Sequence, residues 1–210
     1  MSEISWDQSI RSFVEQAGSA SPTPGGGSVA ALVAALGASM TSMVGRLSEG
    51  EKFAAVRQQV QETLREMDRL SASYEELLHA DVASFERYMD ALRLPKGSDE
   101  EKNERRRALE EAASRAIEVP LRLIEQCREG LTHTLRIAEE CNKNVISDLG
   151  IGAILFEAAA QSALLTVEIN LGALRDEAQK NGYSSRAADL VRDIVSLKAE
   201  TLRISRSRMR

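Results

Sequence analysis

Asp81 stands where a hydrophobic side chain is expected. Val56, Val60, Leu64, Met67, Leu70, Tyr74, Leu77 and Leu78, then Phe85, Tyr88, Met89 and Leu92, recur at helical spacing as one apolar stripe, and Asp81 falls on it three residues after Leu78 and four before Phe85. A carboxylate on a buried face is costly unless a cation or a set of donors receives it. Asp81 is therefore either part of a polar network or a proton-transfer group with a raised pKa. If the face assignment is one position out, it is simply solvated. His79, two residues away, lies on another face of the same helix and is no partner for it.

A second candidate is the run Pro24-Gly25-Gly26-Gly27-Ser28 ahead of a long apolar segment. Glycines expose backbone N–H groups, and a helix N-terminus adds partial positive charge. The turn can thus cradle an anion or a polar ring, or it can be a tight entry into a buried helix, with Ser28 as the N-cap. A methyl group at Gly26 is expected to spoil such a cradle through close approach or a positive φ. No Gly-Lys-Ser/Thr follows, so this is not a Walker loop.

Three further groups carry weaker signals. Asn144, Ser147 and Asp148 read first as helix punctuation, with Ser147 as an N-cap and Asp148 as a first-turn acid. Glu168 and Asn170 flank Ile169 near the end of an apolar helix, and one of the two must face inward and find a partner. Lys96, in the Leu94-Pro95-Lys96 stop, is a surface charge by default and an anion contact otherwise.

The elements that must position these residues are all helical. Amphipathic or apolar helices are expected at 5–17, 29–47, 52–94, 100–140 (capped by Ser98 or Asp99), 148–174 and 184–205, with Pro120 kinking the fourth or starting a new one and Asn181-Gly182 breaking the chain. No stretch alternates with period two. Along 29–47, Ala30, Ala34, Gly37 and Thr41, and Ala31, Ala35, Ala38, Ser42 and Gly45, form two lines of small residues that admit neighbouring helices closely. This segment is apolar nearly all round and is expected at the centre. Ile151, Leu155, Ala158, Ser162, Leu165 and Ile169 share another face. Long helices with apolar surface on more than one side usually acquire a partner, so the pattern describes a single domain: an all-α, elongated multi-helix bundle that forms a homodimer.

Composition narrows the functions. The chain of 210 residues is 43% hydrophobic but only 4% aromatic, so Ala, Leu, Val, Ile and Met must fill the core. A net charge of -5 argues against nucleic acid as a partner. Arg203, Arg206, Arg208 and Arg210 read as a solvated helix end. Cys127 and Cys141 form no CxxC, and His79 and His133 have no zinc spacing, which points to reduced thiols in the cytoplasm and no metal. Residues 1–16 are too polar for a signal peptide, and 29–45 falls short of the roughly 20 apolar residues of a membrane span.

Taken together and in order, five stretches resemble the cyclodeaminase/cyclohydrolase family of tetrahydrofolate enzymes. They are PTPGGGSVAALVAALGASMTSMVG (22–45), HADVASFERYMDALRLPKGSDEEK (79–102), EVPLRL (118–123), NKNVISDLGIGAILFEAA (142–159) and VEINL (167–171). The resemblance covers most of the chain and corresponds to the second half of the bifunctional formiminotransferase-cyclodeaminase. It implies an all-helical homodimer, with Asp81 as the catalytic aspartate and the glycine turn, Pro24 to Ser28, at the folate site. It also implies that Asn144, Ser147 and Asp148, from an Asn-x-x-Ser-Asp segment, and Asn170 and Lys96 contact substrate. Cys141 departs from a glycine usual there, and Thr166 from an asparagine, and both departures bear on substrate preference.

The resemblance implies chemistry at the carbon joining N5 and N10 of tetrahydrofolate, with no metal and no cofactor beyond the folate itself. Hydrolysis of 5,10-methenyltetrahydrofolate is the favoured reaction. Release of ammonia from 5-formiminotetrahydrofolate is the alternative, since both pass through a tetrahedral carbon that needs a proton acceptor and donor. A non-catalytic helical dimer that binds folate or serves as a scaffold is the rival of another class.

Overall fold

The computed structural model describes residues 4–210, and every element in it is helical. Six α-helices follow in order: α1 (Ile10–Ala17), α2 (Gly26–Arg46), α3 (Arg57–Arg93), α4 (Asp99–Arg136), α5 (Ile146–Leu171) and α6 (Glu177–Met209), with short 3₁₀ turns at Glu51–Val56 and Lys143–Val145. At 1.5 Å per residue, α3 and α4 each run for roughly 55 Å. The expected all-helical, elongated bundle is what the chain forms.

Small residues place α2 at the middle of the bundle. Ala30, Ala31, Ala34, Ala35, Gly37, Ala38 and Thr41 are all buried, in the two lines anticipated. Helices α2 and α5 run antiparallel and touch backbone to backbone: a Cβ on Gly152 would lie 3.0 Å from the Gly37 carbonyl oxygen. Phe156 of α5 fills the neighbouring space and leaves none at Gly130 of α4, where a Cβ would meet Phe156 Cζ at 2.7 Å. Deeper, the Thr41 and Thr134 hydroxyls share a hydrogen bond of 2.9 Å, and the Gln126 side-chain amide nitrogen donates to Ser73 at 2.7 Å, while the Gln126 side-chain oxygen is buried without a partner.

Helix α2 is not covered on every side. Val29, Val33, Leu36, Met40, Met43 and Leu47 follow one another at steps of four and three. Three of them are substantially exposed: Val29 (37%), Leu36 (49%) and Leu47 (50%). Beside them, Ile151, Ile154, Leu165 and Ile169 of α5 are also exposed, up to 80% at Ile169. By length and composition alone, Gly26–Arg46 and Lys143–Leu171 are apolar enough to cross a membrane; both are packed into the bundle along one side.

Several boundaries differ from the sequence reading. Helix α1 begins at Ile10, capped by Ser9, and buries only Phe13; Ile10 and Val14 face outward. Helix α2 starts three residues early, with Gly25 as its cap, which frees the Ser28 side chain for another bond. Ser98 caps α4 in a capping box with Glu101, as expected. Helix α5 has no side-chain cap, so Ser147 is not one; Asn142 instead caps the 3₁₀ turn before it. Asn181 and Gly182 lie inside α6, which begins at the Asp176 cap; Asp176 accepts from the N–H groups of Ala178 and Gln179. One helical glycine costs about 1 kcal/mol, less than is gained from burying Ala187, Val191 and Ile194. Arg208 is no solvated end either: it donates to the carbonyl oxygens of Ala138 and Cys141 at 2.6 Å each, closing the turn after α4.

Pro120 neither breaks nor restarts α4, which passes through it unbroken. A proline has no N–H to give the carbonyl four residues back, here that of Ala116. Asn170 of α5 supplies the missing donor, with its side-chain amide 3.0 Å from the Ala116 oxygen.

Candidate active site

Asp81 sits midway along α3, at the place where the first turn of α2 meets it. Its Oδ2 accepts a hydrogen bond of 2.8 Å from the Ser28 hydroxyl. Below the carboxylate lies Gly27, whose own Cβ, had it one, would fall 2.6 Å from Asp81 Cγ and closer still to Oδ1. The glycine turn is thus needed for close approach at Gly27, not at Gly26. A Cβ on Gly26 would meet no atom within 4 Å, and no glycine among the described residues has a positive φ.

Burial pushes the Asp81 carboxyl above its ordinary value, and hydrogen bonds from the Ser28 side chain and backbone pull it partly back. No cation contributes to that balance. Among the described residues no lysine, arginine or histidine forms an ion pair with Asp81; the ion pairs of the chain lie elsewhere, mostly between exposed neighbours one helical turn apart. A half-buried carboxylate steadied by one hydroxyl and the positive end of a helix is fit to take up a proton or to face a cationic group.

The carboxylate opens onto a cavity of about 180 Å³. Pro22, Thr23, Gly25, Gly26 and Gly27 form one wall of it. Ser84, Phe85 and Tyr88, at three, four and seven residues after Asp81, form a second along α3. Ala116 of α4 and Thr166 and Asn170 of α5 complete it. Asn170 spends its amide hydrogens on the carbonyl oxygens of Ala116 (3.0 Å) and Thr166 (2.8 Å), so its side-chain oxygen remains as an acceptor. Pro24 is buried behind the turn, after the cis Thr23-Pro24 bond.

The structure therefore brings together Asp81, the glycine turn with Ser28, and Asn170, and it adds seven residues not singled out from sequence as site residues: Ser84, Phe85, Tyr88, Ala116, Thr166, Pro22 and Thr23. The first three were available from Asp81 by counting helical steps, and Ala116 by counting four back from Pro120. Lys96 is exposed in the loop between α3 and α4 and does not line the cavity. Asn144, Ser147 and Asp148 lie at the opposite end of α5; Asp148 and Asn170 are about 33 Å apart along that helix. Within one chain they do not meet Asp81. Of the two departures noted in the sequence, Thr166 touches the cavity, whereas Cys141 is buried at the far end beside Arg208.

The family described as formiminotransferase-cyclodeaminase matches residues 9–189. The chain belongs to this family. It is 36% identical to methenyltetrahydrofolate cyclohydrolase of Methylorubrum extorquens, over 82% of this chain and 83% of that protein. It is 35% identical to formimidoyltransferase-cyclodeaminase of Rattus norvegicus over 89% of its own length, which spans 35% of the length of that relative. Its fold is similar to a crystal structure of formiminotetrahydrofolate cyclodeaminase from Thermotoga maritima, with a TM-score of 0.84 and 25% identity, over 96% of this chain and 97% of the other. The helical bundle expected of a formiminotransferase-cyclodeaminase relative, and the family suggested by the five sequence stretches, are thus both in place.

Proposed function

We propose that the chain is a 5,10-methenyltetrahydrofolate cyclohydrolase. The observation that carries this is the Asp81 carboxylate, half-buried, held by Ser28 over the bare Cα of Gly27 and matched to no cation of its own. The methenyl bridge carries a delocalised positive charge on the carbon between N5 and N10, and such a carbon is drawn to an unpaired carboxylate. Likeness to a relative named for this reaction, matched along most of both chains, supports the choice.

In this reading water attacks the bridge carbon and gives up a proton to Asp81. The hydroxyl adduct then collapses: the bond from the carbon to N5 breaks, N5 receives the proton from Asp81, and the hydroxyl proton leaves to solvent as the formyl group forms on N10. The carbon is already electrophilic, so acid–base assistance suffices and no metal or redox cofactor takes part. Ser28 keeps the carboxylate in one orientation, and Phe85 and Tyr88 offer flat surface for the ring system. Loss of the methenyl near-UV absorbance faster than in buffer tests the assignment. A higher kcat/KM for 5-formiminotetrahydrofolate would make the chain a cyclodeaminase instead, the reading that its likeness to the Thermotoga maritima enzyme favours. Binding without turnover of either would leave a non-catalytic folate-binding dimer.

The working form is a homodimer in the cytoplasm, where its two free thiols stay reduced. The exposed stripes of α2 and α5 lie side by side, and a second copy, rather than lipid, covers them. Across a two-fold axis perpendicular to these helices, the helices of the two copies run in opposite directions. The α5 start of one chain then faces the α5 end of the other, and Asn144, Ser147 and Asp148 of the partner subunit approach Asp81. A cavity of about 180 Å³, below the roughly 300–1,000 Å³ of most small-molecule sites, is consistent with walls that a second copy completes.

A further inference from the structure

The link from α4 to α5 is tied down from two sides. Asn142 fastens it to the end of α2: its backbone N–H donates to the Ser48 hydroxyl at 2.9 Å, and its side-chain amide donates to the Leu47 carbonyl oxygen at 3.0 Å. The Asn142 side-chain oxygen in turn accepts from the Asn144 N–H at 3.2 Å. Arg208, in the last turn of α6, fastens the link from the other side. Its Nη1 donates to the Ala138 carbonyl oxygen and its Nη2 to that of Cys141, at 2.6 Å each. Beneath the link lies a small core of its own, in which Val44, Ile137, Ile146, Leu149 and Ile204 meet. The polar residues of the segment are in the opposite condition. Ile146 and Leu149 are buried, but Asn144 and Ser147 are exposed. Among the described residues, the side chains of Asn144, Ser147 and Asp148 meet no hydrogen-bond or ion-pair partner.

We propose that Arg208 is a positioning residue for the reaction: by clasping the link it fixes where Asn144, Ser147 and Asp148 stand, and through them it governs the active site of the partner subunit rather than its own. The inference rests on the dimer reading above, in which these three residues reach Asp81 only across the interface. Arg208 does not line the Asp81 cavity of its own chain, and neither does any other residue of α6. A segment held by its backbone, with its polar side chains unspent, is suited to meeting a ligand, because the reacting geometry is set before the ligand arrives. The guanidinium fits this task. It is planar and carries two separate nitrogens, so it spans two carbonyl oxygens three residues apart, whereas an ammonium group is a single point of charge and would grip one of them. Carbonyls just past a helix end otherwise lack donors, and the arginine supplies both.

The test asks which site Arg208 serves. Arg208→Ala alone should lower kcat/KM for 5,10-methenyltetrahydrofolate by about tenfold, with the circular dichroism of wild type, and Arg208→Lys should recover part of the loss. Co-expressed with Asp81→Asn, Arg208→Ala should reach about one quarter of wild-type activity, since each mixed dimer then holds one site with both Asp81 and the facing segment intact. Co-expressed with Asp148→Ala, it should stay at or below the activity of Arg208→Ala alone, because both chains then offer a faulty segment. If Arg208→Ala does not assemble, the same two pairings with Arg208→Lys, in the same order of activity, decide the matter. Wild-type activity of Arg208→Ala, recovery with Asp148→Ala, or recovery in neither pairing would overturn the clamp, provided that Asp81→Asn and Asp148→Ala restore one another. Failure of that last pair would overturn the dimer reading, and the clamp with it.

Discussion

The carboxylate of Asp81 occupies the volume that a side chain on Gly27 would need. Two residues from different helices are therefore fixed by one contact: the glycine because there is no room, the aspartate because Ser28 and the start of α2 hold it there. Gly27→Ala should displace the carboxylate. We expect kcat/KM to fall by about 10²-fold, the usual cost of misplacing a reacting group by about 1 Å, and stability by about 1–3 kcal/mol from overpacking. Gly26→Ala, with open space at that position, should keep the unfolding free energy within about 0.5 kcal/mol of wild type. Denaturant unfolding of the two variants side by side checks the contrast, and equal destabilisation would refute it.

Asp81→Asn keeps an acceptor for Ser28 and removes the proton-transfer group. Turnover of 5,10-methenyltetrahydrofolate should drop by about 10²–10⁴-fold, the range of general acid–base contributions, while sedimentation and circular dichroism stay those of wild type. Full activity in a folded variant would assign Asp81 a structural role.

The same residue makes a prediction about pH. Its folded-state pKa lies above the ordinary 3.8 because burial outweighs the Ser28 hydrogen bonds. The base form is required for water attack, so kcat/KM, corrected for spontaneous hydrolysis, should rise with pH through that displaced value. Stability moves the other way. Well below 3.8, folded and unfolded chains both hold the proton. As pH rises through the folded value, the native state must ionise a buried group and loses stability relative to the unfolded chain. The melting temperature of Asp81→Asn should accordingly equal or exceed that of wild type at neutral pH, and the difference should vanish in acid.

Asn170→Ala should cost about 1 kcal/mol, because it leaves the Ala116 carbonyl without a donor. Introducing Pro120→Ala in the same chain returns a backbone N–H to α4 and should recover much of the loss. A double-mutant cycle measures the coupling; additive effects would mean that the two positions are independent.

If Asn144 and Asp148 act from the partner subunit, mixed dimers should report it. Asp81→Asn and Asp148→Ala, each inactive alone, should regain about one quarter of wild-type activity when co-expressed, since half of the dimers are then mixed and each carries one intact site of two. Leu36→Glu, which charges the exposed stripe of α2, should give a helical monomer by light scattering. A dimer that survives this change would place the interface elsewhere.

Asp81 was legible because an acid interrupting an apolar stripe has few explanations, and counting along the same helix leads directly to Ser84, Phe85 and Tyr88. The small-residue lines of α2 were legible for a similar reason: only close helix packing uses so many alanines and glycines. What sequence periodicity does not carry is which side of an apolar helix finds a neighbour. Leu165 and Ile169 share a pattern with Leu155, yet they remain exposed in the single chain. Local punctuation also misled wherever a tertiary contact outweighed it. Ser28 looks like a cap but serves Asp81, and Asn181-Gly182 looks like a break but is carried by the buried residues after it. Asn144, Ser147 and Asp148 belong with the glycine turn by family resemblance, and in space they fall at the other end of the bundle.

Pro120 and Asn170 have a consequence for inheritance. The proline removes a donor that the asparagine restores, so Asn170 cannot be lost first without leaving an unmatched carbonyl at the rim of the cavity. Replacing Pro120 first returns the backbone N–H to α4 and releases Asn170 from that duty. The order of loss is therefore constrained: among descendants of this sequence, Asn170 should be replaced only where Pro120 has already gone.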